Sequence, residues 1–160
     1  MIPTPTPTLA RRALPLAGAL LLALAFASPP AAAQAVRLHG LAGEQLADSD
    51  LDRGTTIAVL WASWSPRSRD IVERVNALAG RWGGKARVIT VDFQEDRPAV
   101  EQFLAGKRLA VPVFLDTDGA FSKKYAVATL PGLLVLKEGQ VAYHGKLPDD
   151  PDRVIGGALP

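Results

Sequence analysis

Thr55–Trp61, TTIAVLW, is an unbroken β-branched and apolar run, and the chain around it is constrained by what can cover it. A strand with one wet face alternates apolar and polar side chains, so this run suits a central strand buried on both faces. Beyond Ser65-Pro66 the period changes: Ile71, Val75, Leu78 and Ala79 recur at helical spacing, and Gly83-Gly84 stop the repeat. A doubly covered strand running into an amphipathic helix predicts an α/β protein, a mixed sheet with helices on its faces.

The flanking segments fit that plan. Val36-Arg37-Leu38 and Glu44-Gln45-Leu46 around Gly43 read as a short N-terminal hairpin. Residues 86–91, ARVITV, form a second buried strand, and 97–106 a helix with Val100, Phe103 and Leu104 inward. A strand over 111–115 meets the turn Asp116-Thr117-Asp118-Gly119 and a short helix over 121–125. Strands over 132–136 and 140–144 join through Lys137-Glu138-Gly139, and 150–159 closes the chain as a helix. The charged run Asp92 to Arg97 reads as a solvated loop, in preference to a carboxylate pair for catalysis.

The N-terminal 35 residues read as an address. Arg11-Arg12 precede a small and apolar run over 13–27, then Ser28-Pro29-Pro30 and an alanine-rich exit that fits cleavage after Ala33 or Ala35. A positive start, a short apolar stretch and small residues at the exit describe a secretory signal peptide over 1–35. If uncleaved, 13–27 is the chain's one route to a membrane anchor, although the run is shorter than the usual span of about 20 residues. The Arg pair matches a twin-arginine signal only loosely. The expected location is outside the cytoplasm, in the periplasm or on the outer face of the cytoplasmic membrane.

Residues 36–160 then make one domain, which 48% apolar composition can supply with a core. Arg11 and Arg12 are two of the chain's 18 basic residues; without them, 16 basic side chains face 16 acidic ones. That neutrality argues against a nucleic-acid or anionic-membrane surface, which needs clustered Lys and Arg. The chain has no cysteine, which excludes a disulfide, a thiolate metal site and a thiol nucleophile. With only His39 and His144 as histidines, no metal site and no cofactor is expected.

Trp61-Ala62-Ser63-Trp64-Ser65-Pro66-Arg67-Ser68-Arg69-Asp70 lies where the buried strand gives way to the helix. It resembles the W-A-x-W-C-P-x-C-R-E signature of TlpA/ResA-type thioredoxin-like oxidoreductases, a redoxin (AhpC/TSA-like) family, with Ser65 and Ser68 at the two cysteine positions. Thr129-Leu130-Pro131 resembles the family's X-Pro segment, whose proline is cis and packs beside the redox motif. The resemblance continues through 112–116, 125–127 and 137–143. It implies a thioredoxin-like fold over 36–160 with the hairpin as an N-terminal extension.

In active members the first cysteine becomes a thiolate nucleophile at a helix N-terminus and the second resolves the mixed disulfide. Serine does neither, so the resemblance implies a redox-inactive member with no catalytic residue of that kind. Ser65 followed by Pro66 reads as a helix N-cap, and Ser68 as a small residue in the space of the second sulfur. A serine nucleophile needs a base within hydrogen-bond reach, and neither histidine has a sequence reason to lie near Ser65. Val59 stands where many thioredoxins carry a buried acid.

Trp61 is expected in the core and Trp64 exposed. On the family's pattern Trp64, Ser65, Pro66, Arg67, Ser68, Leu130 and Pro131 form a groove for an extended peptide, with the Leu130 backbone free to pair with a partner strand. The expected function is a protein-binding or assembly module of the cell envelope. The alternatives are non-thiol enzymatic chemistry on the same scaffold, a purely structural domain, and a groove that is inherited but unused.

Overall fold

The structure is a computed structural model that describes residues 35–159; the signal-peptide and anchor readings fall on a segment outside the described residues. In chain order the elements are β1 (Arg37–Gly40), β2 (Gln45–Ala47), α1 (Asp48–Leu51), β3 (Thr55–Trp61), a 3-10 turn (Pro66–Ser68), α2 (Ile71–Trp82), β4 (Arg87–Phe93), α3 (Arg97–Leu104), β5 (Val113–Asp116), α4 (Ala120–Lys124), β6 (Gly132–Lys137), β7 (Gln140–Lys146) and α5 (Pro151–Ala158).

The strands form one sheet in the order β2-β1-β5-β4-β3-β6-β7. β3 pairs parallel with β4 and antiparallel with β6, and β5 runs parallel to β4, so the sheet is mixed. The β1–β2 hairpin extends it at one edge, β1 pairing antiparallel with both β2 and β5.

Alternate residues of β3 divide between two cores, which is why its sequence shows no polar alternation. Ile57, Val59 and Trp61 pack on one face with Ile71, Val75 and Leu78 of α2, Val100 of α3 and Ile155 of α5. Ala58 and Leu60 pack on the other with Leu51 of α1 and Phe121 of α4. Ile57, Leu60, Leu133, Leu134 and Leu136 are fully shielded from solvent; each such side chain contributes about 1.5–3 kcal/mol relative to exposure.

Two local features differ from the sequence reading. The helix begins at Ile71, a full turn after Ser65-Pro66, because the chain first closes a 3-10 turn in which the Ser68 amide donates to the Ser65 carbonyl at 2.9 Å. Ser65 precedes that turn without any side-chain capping bond, and Asp70 is the residue before α2. The single turn α1 has no counterpart in the sequence reading. Its stability is tertiary: Asp48 accepts the Val36 amide at 2.7 Å and pairs with Lys124 at 2.7 Å, and Leu51 is buried beneath.

The turn at 116–119 has a definite cause. Asp116 is wholly buried, and its carboxylate accepts the Phe121 and Ser122 amides, each at 2.9 Å, and the Ser122 hydroxyl at 2.6 Å. Gly119 then takes the left-handed conformation, φ 70°, that starts α4.

Candidate functional site

β3 delivers the motif to the carboxyl end of the sheet. Trp61 ends the strand with no exposed surface and packs on Phe103 with ring centroids 5.1 Å apart. The chain then turns outward, the Ser65 amide donating to the Ala62 carbonyl at 3.2 Å, and leaves Trp64 62% exposed. Trp64 is the most exposed large apolar side chain among the described residues.

The opposite wall comes from the segment before β6. The Leu130–Pro131 peptide is cis, as the resemblance implies, and the Pro131 carbonyl accepts the Leu147 amide at 2.9 Å. Gly132 is required there: a Cβ would collide with Val127 and lie 2.8 Å from the Thr129 carbonyl oxygen. Gly132→Ala is therefore expected to cost about 2 kcal/mol, within the range for overpacking, read as a lower urea midpoint at unchanged slope.

Between these walls lies a cavity of about 400 Å³, bounded by Trp64, Ser65, Pro66 and Arg67 on one side and Val127 and Leu130 on the other. The structure thus gathers five of the seven anticipated residues around one space. Ser68 and Pro131 are not among its lining. Ser68 is wholly buried with its hydroxyl unpartnered, because the 3-10 turn swings it inward, and Pro131 is buried beneath Leu130 at the start of β6. Sequence reasoning missed Phe93, Val127 and Ala128, which also line the cavity; the signal for Phe93 was an aromatic residue inside a charged run.

That charged run also needs correcting. β4 continues two residues past the apolar stretch, so Asp92 stays in the sheet between Trp61 of β3 and Leu115 of β5. It has no exposed surface, and neither carboxyl oxygen has a hydrogen-bond partner among the described residues. Burial, and then the neighbouring Glu95 carboxylate, push its pKa to about 8. Glu95 is itself nearly buried and accepts both the Ser63 amide, at 2.5 Å, and the Ser63 hydroxyl. Two carboxyl groups therefore sit under the loop that carries Trp64, and one of them anchors it.

Neither histidine accompanies Ser65. His39 lies in β1, beside β5, and His144 in β7 places Nδ1 3.2 Å from the Ala126 carbonyl oxygen. Neither histidine hydrogen-bonds Ser65, so the arrangement required for a serine nucleophile is not assembled.

Residues 29–144 match the model of the AhpC/TSA family. Sporulation thiol-disulfide oxidoreductase A of Bacillus subtilis is 25% identical over 87 residues, 52% of this chain and 53% of its own length. The chain thus spans about half the length of that curated relative. Among solved structures, the exposed lipoprotein thioredoxin of Streptococcus pneumoniae superposes with a TM-score of 0.67 at 20% identity, covering 78% of this chain and 97% of its own. DsbF of Mycobacterium tuberculosis gives 0.67 at 19% identity over 78% and 95%. These likenesses establish the thioredoxin-like fold, and the family match covers the motif, the carboxyl pair and the cis-proline segment together. The chain belongs to the AhpC/TSA family and has a thioredoxin-like fold.

Proposed function

We propose that this chain is an exported, redox-inactive binding module of the cell envelope, whose groove over the Ser65-Pro66-Arg67-Ser68 turn holds an extended segment of a protein partner. With no cysteine anywhere in the chain, thiol–disulfide exchange has no nucleophile and no couple. The observation that carries the reading is the open cavity flanked by a 62% exposed Trp64, on a scaffold whose core and cis-proline turn are intact. Among the described residues no hydrogen bond engages the Leu130 N–H or C=O, which leaves both free for a partner strand.

Export is supported by the signal-like character of 1–35 and by the Streptococcus pneumoniae relative, which is an exposed lipoprotein. No helix among the described residues is long and apolar enough to cross a membrane.

Cross-linking in envelope extracts tests the function. Partners captured by the wild type are expected to fall at least tenfold with Trp64→Ala combined with Arg67→Glu, since buried Trp and Arg contacts dominate such interfaces. Equal recovery of every partner would count decisively against the groove. Insulin reduction is expected at the blank rate, and mass spectrometry of the secreted protein's N-terminus is expected to place cleavage after Ala33 or Ala35.

A further inference from the structure

The groove does not stop at Phe93. A second depression of about 390 Å³ opens beyond it, and Phe93, Val127 and Ala128 line both. The remaining walls of the second basin include Gln94, after β4, and Lys123, in α4.

These walls are held by the backbone. Gln94 takes a left-handed conformation, φ 56°, with its amide donating to the Asp116 carbonyl at 3.1 Å. The Val127 amide donates to the Ser122 carbonyl at 3.0 Å, and the Ala126 carbonyl is met by the His144 ring. A trough shaped in advance spares a ligand the cost of ordering it.

Charge distinguishes the two ends. Arg67 lines the first basin and Lys123 the second; both are exposed, and neither has an ion-pair partner among the described residues. Asp118, the acidic residue lining the second basin, already has its carboxylate on the Ala120 amide at 3.0 Å. The lining shared by the two basins, Phe93, Val127 and Ala128, is apolar, and Trp64 and Leu130 extend that character in the first.

We propose that the two basins form one track for an extended peptide with an apolar centre and an acidic residue towards each end, one opposite Arg67 and the other opposite Lys123. The proposal rests on the groove being a peptide site, and adds to it the second basin and a charge rule. A Lys or Arg opposite Arg67 meets like charge and is disfavoured, while in the second basin Asp118 is already engaged by the Ala120 amide and Lys123 sets the preference for an acid, which is how rim charges give specificity.

Selection of a random decapeptide phage library against the full chain tests both statements separately. Enriched peptides are expected to carry an apolar centre flanked by Asp or Glu. For a synthetic copy of the leading peptide, Lys123→Glu is expected to weaken binding about fivefold or more, with the loss recovered when one terminal acid of the peptide is exchanged for Lys. Lys123 is exposed, so its substitution leaves the fold intact, checked by an unchanged melting temperature. Binders that need Trp64 yet ignore Lys123→Glu would overturn the two-basin track and leave the groove reading standing. A selection with no binder lost in Trp64→Ala would overturn both.

Discussion

Asp92→Asn is expected to stabilise the domain by on the order of 4 kcal/mol at pH 8, with little change at pH 4. The carboxyl is fully buried in the sheet, neither oxygen meets the geometry of a hydrogen bond among the described residues, and its pKa rises from 3.8 to about 8, first by burial and then by the neighbouring Glu95. Between those values the folded chain keeps a proton that the unfolded chain has lost, so stability falls as pH rises through the window. Every tenfold gain in the folded chain's affinity for that proton is worth about 1.36 kcal/mol, which puts the full loss near 5 kcal/mol if the site does not relax. That is a large part of the roughly 5–15 kcal/mol typical of a domain. Asn keeps the shape of the protonated acid and has nothing to ionise. Urea unfolding of both proteins from pH 4 to pH 8 is expected to give a falling curve for the wild type and a flatter one for the variant. Parallel curves would show that Asp92 does not titrate in the folded state.

The same acid marks the boundary of what the sequence makes legible. TTIAVLW announces a doubly buried strand because both of its faces are apolar, and β3 feeds two separate cores. Lys137-Glu138-Gly139 announces a hairpin because its geometry needs left-handed residues, and Glu138 and Gly139 adopt φ 49° and 76°. The buried Trp61 and exposed Trp64 follow from their places at the end of a buried strand and in the loop after it, and the cis Leu130–Pro131 bond from the motif's resemblance. Asp92 does not, since a carboxylate beside Glu95, Asp96 and Arg97 has the local signature of a wet loop. Only pairing with β3 and β5 keeps it in the sheet, and strand pairing between distant segments leaves no local trace.

Phe93 and Val127 share that difficulty. They stand 34 positions apart in the chain, and the groove exists only because the end of β4 and the segment before β6 both lie at the carboxyl end of β3, on either side of it. The late start of α2 has a more local cause. Ser-Pro is good chemistry for the beginning of a helix, and it does begin one, but the 3-10 turn it nucleates is used up in burying Ser68. Val59 is the instructive counterpart: the strand position expected to carry an acid is apolar, while the buried acid sits on the adjacent strand, in register with Trp61.

Ser65→Cys combined with Ser68→Cys is expected to restore a disulfide and, with it, insulin reduction above a blank background. The 3-10 turn brings these two residues together through the 2.9 Å bond from the Ser68 amide to the Ser65 carbonyl. In such a turn residues i and i+3 lie on one side of the chain, within the roughly 5.5–6 Å Cα separation that disulfides favour. Ser65 retains a little exposure and Ser68 none, the asymmetry an attacking and a resolving thiol require. Arg67, two residues on and lining the same cavity, favours its thiolate. Thiol titration is expected to find no free thiol after oxidation and two after reduction, while Ser65→Cys alone gives a mixed disulfide with glutathione and no turnover. Failure to form the bond under oxidant would show that the turn has been reshaped beyond the redox geometry. A bond that forms without insulin turnover would place the loss in substrate access, at Trp64 and Leu130, and so separate what the missing sulfurs took away from what the groove has since become.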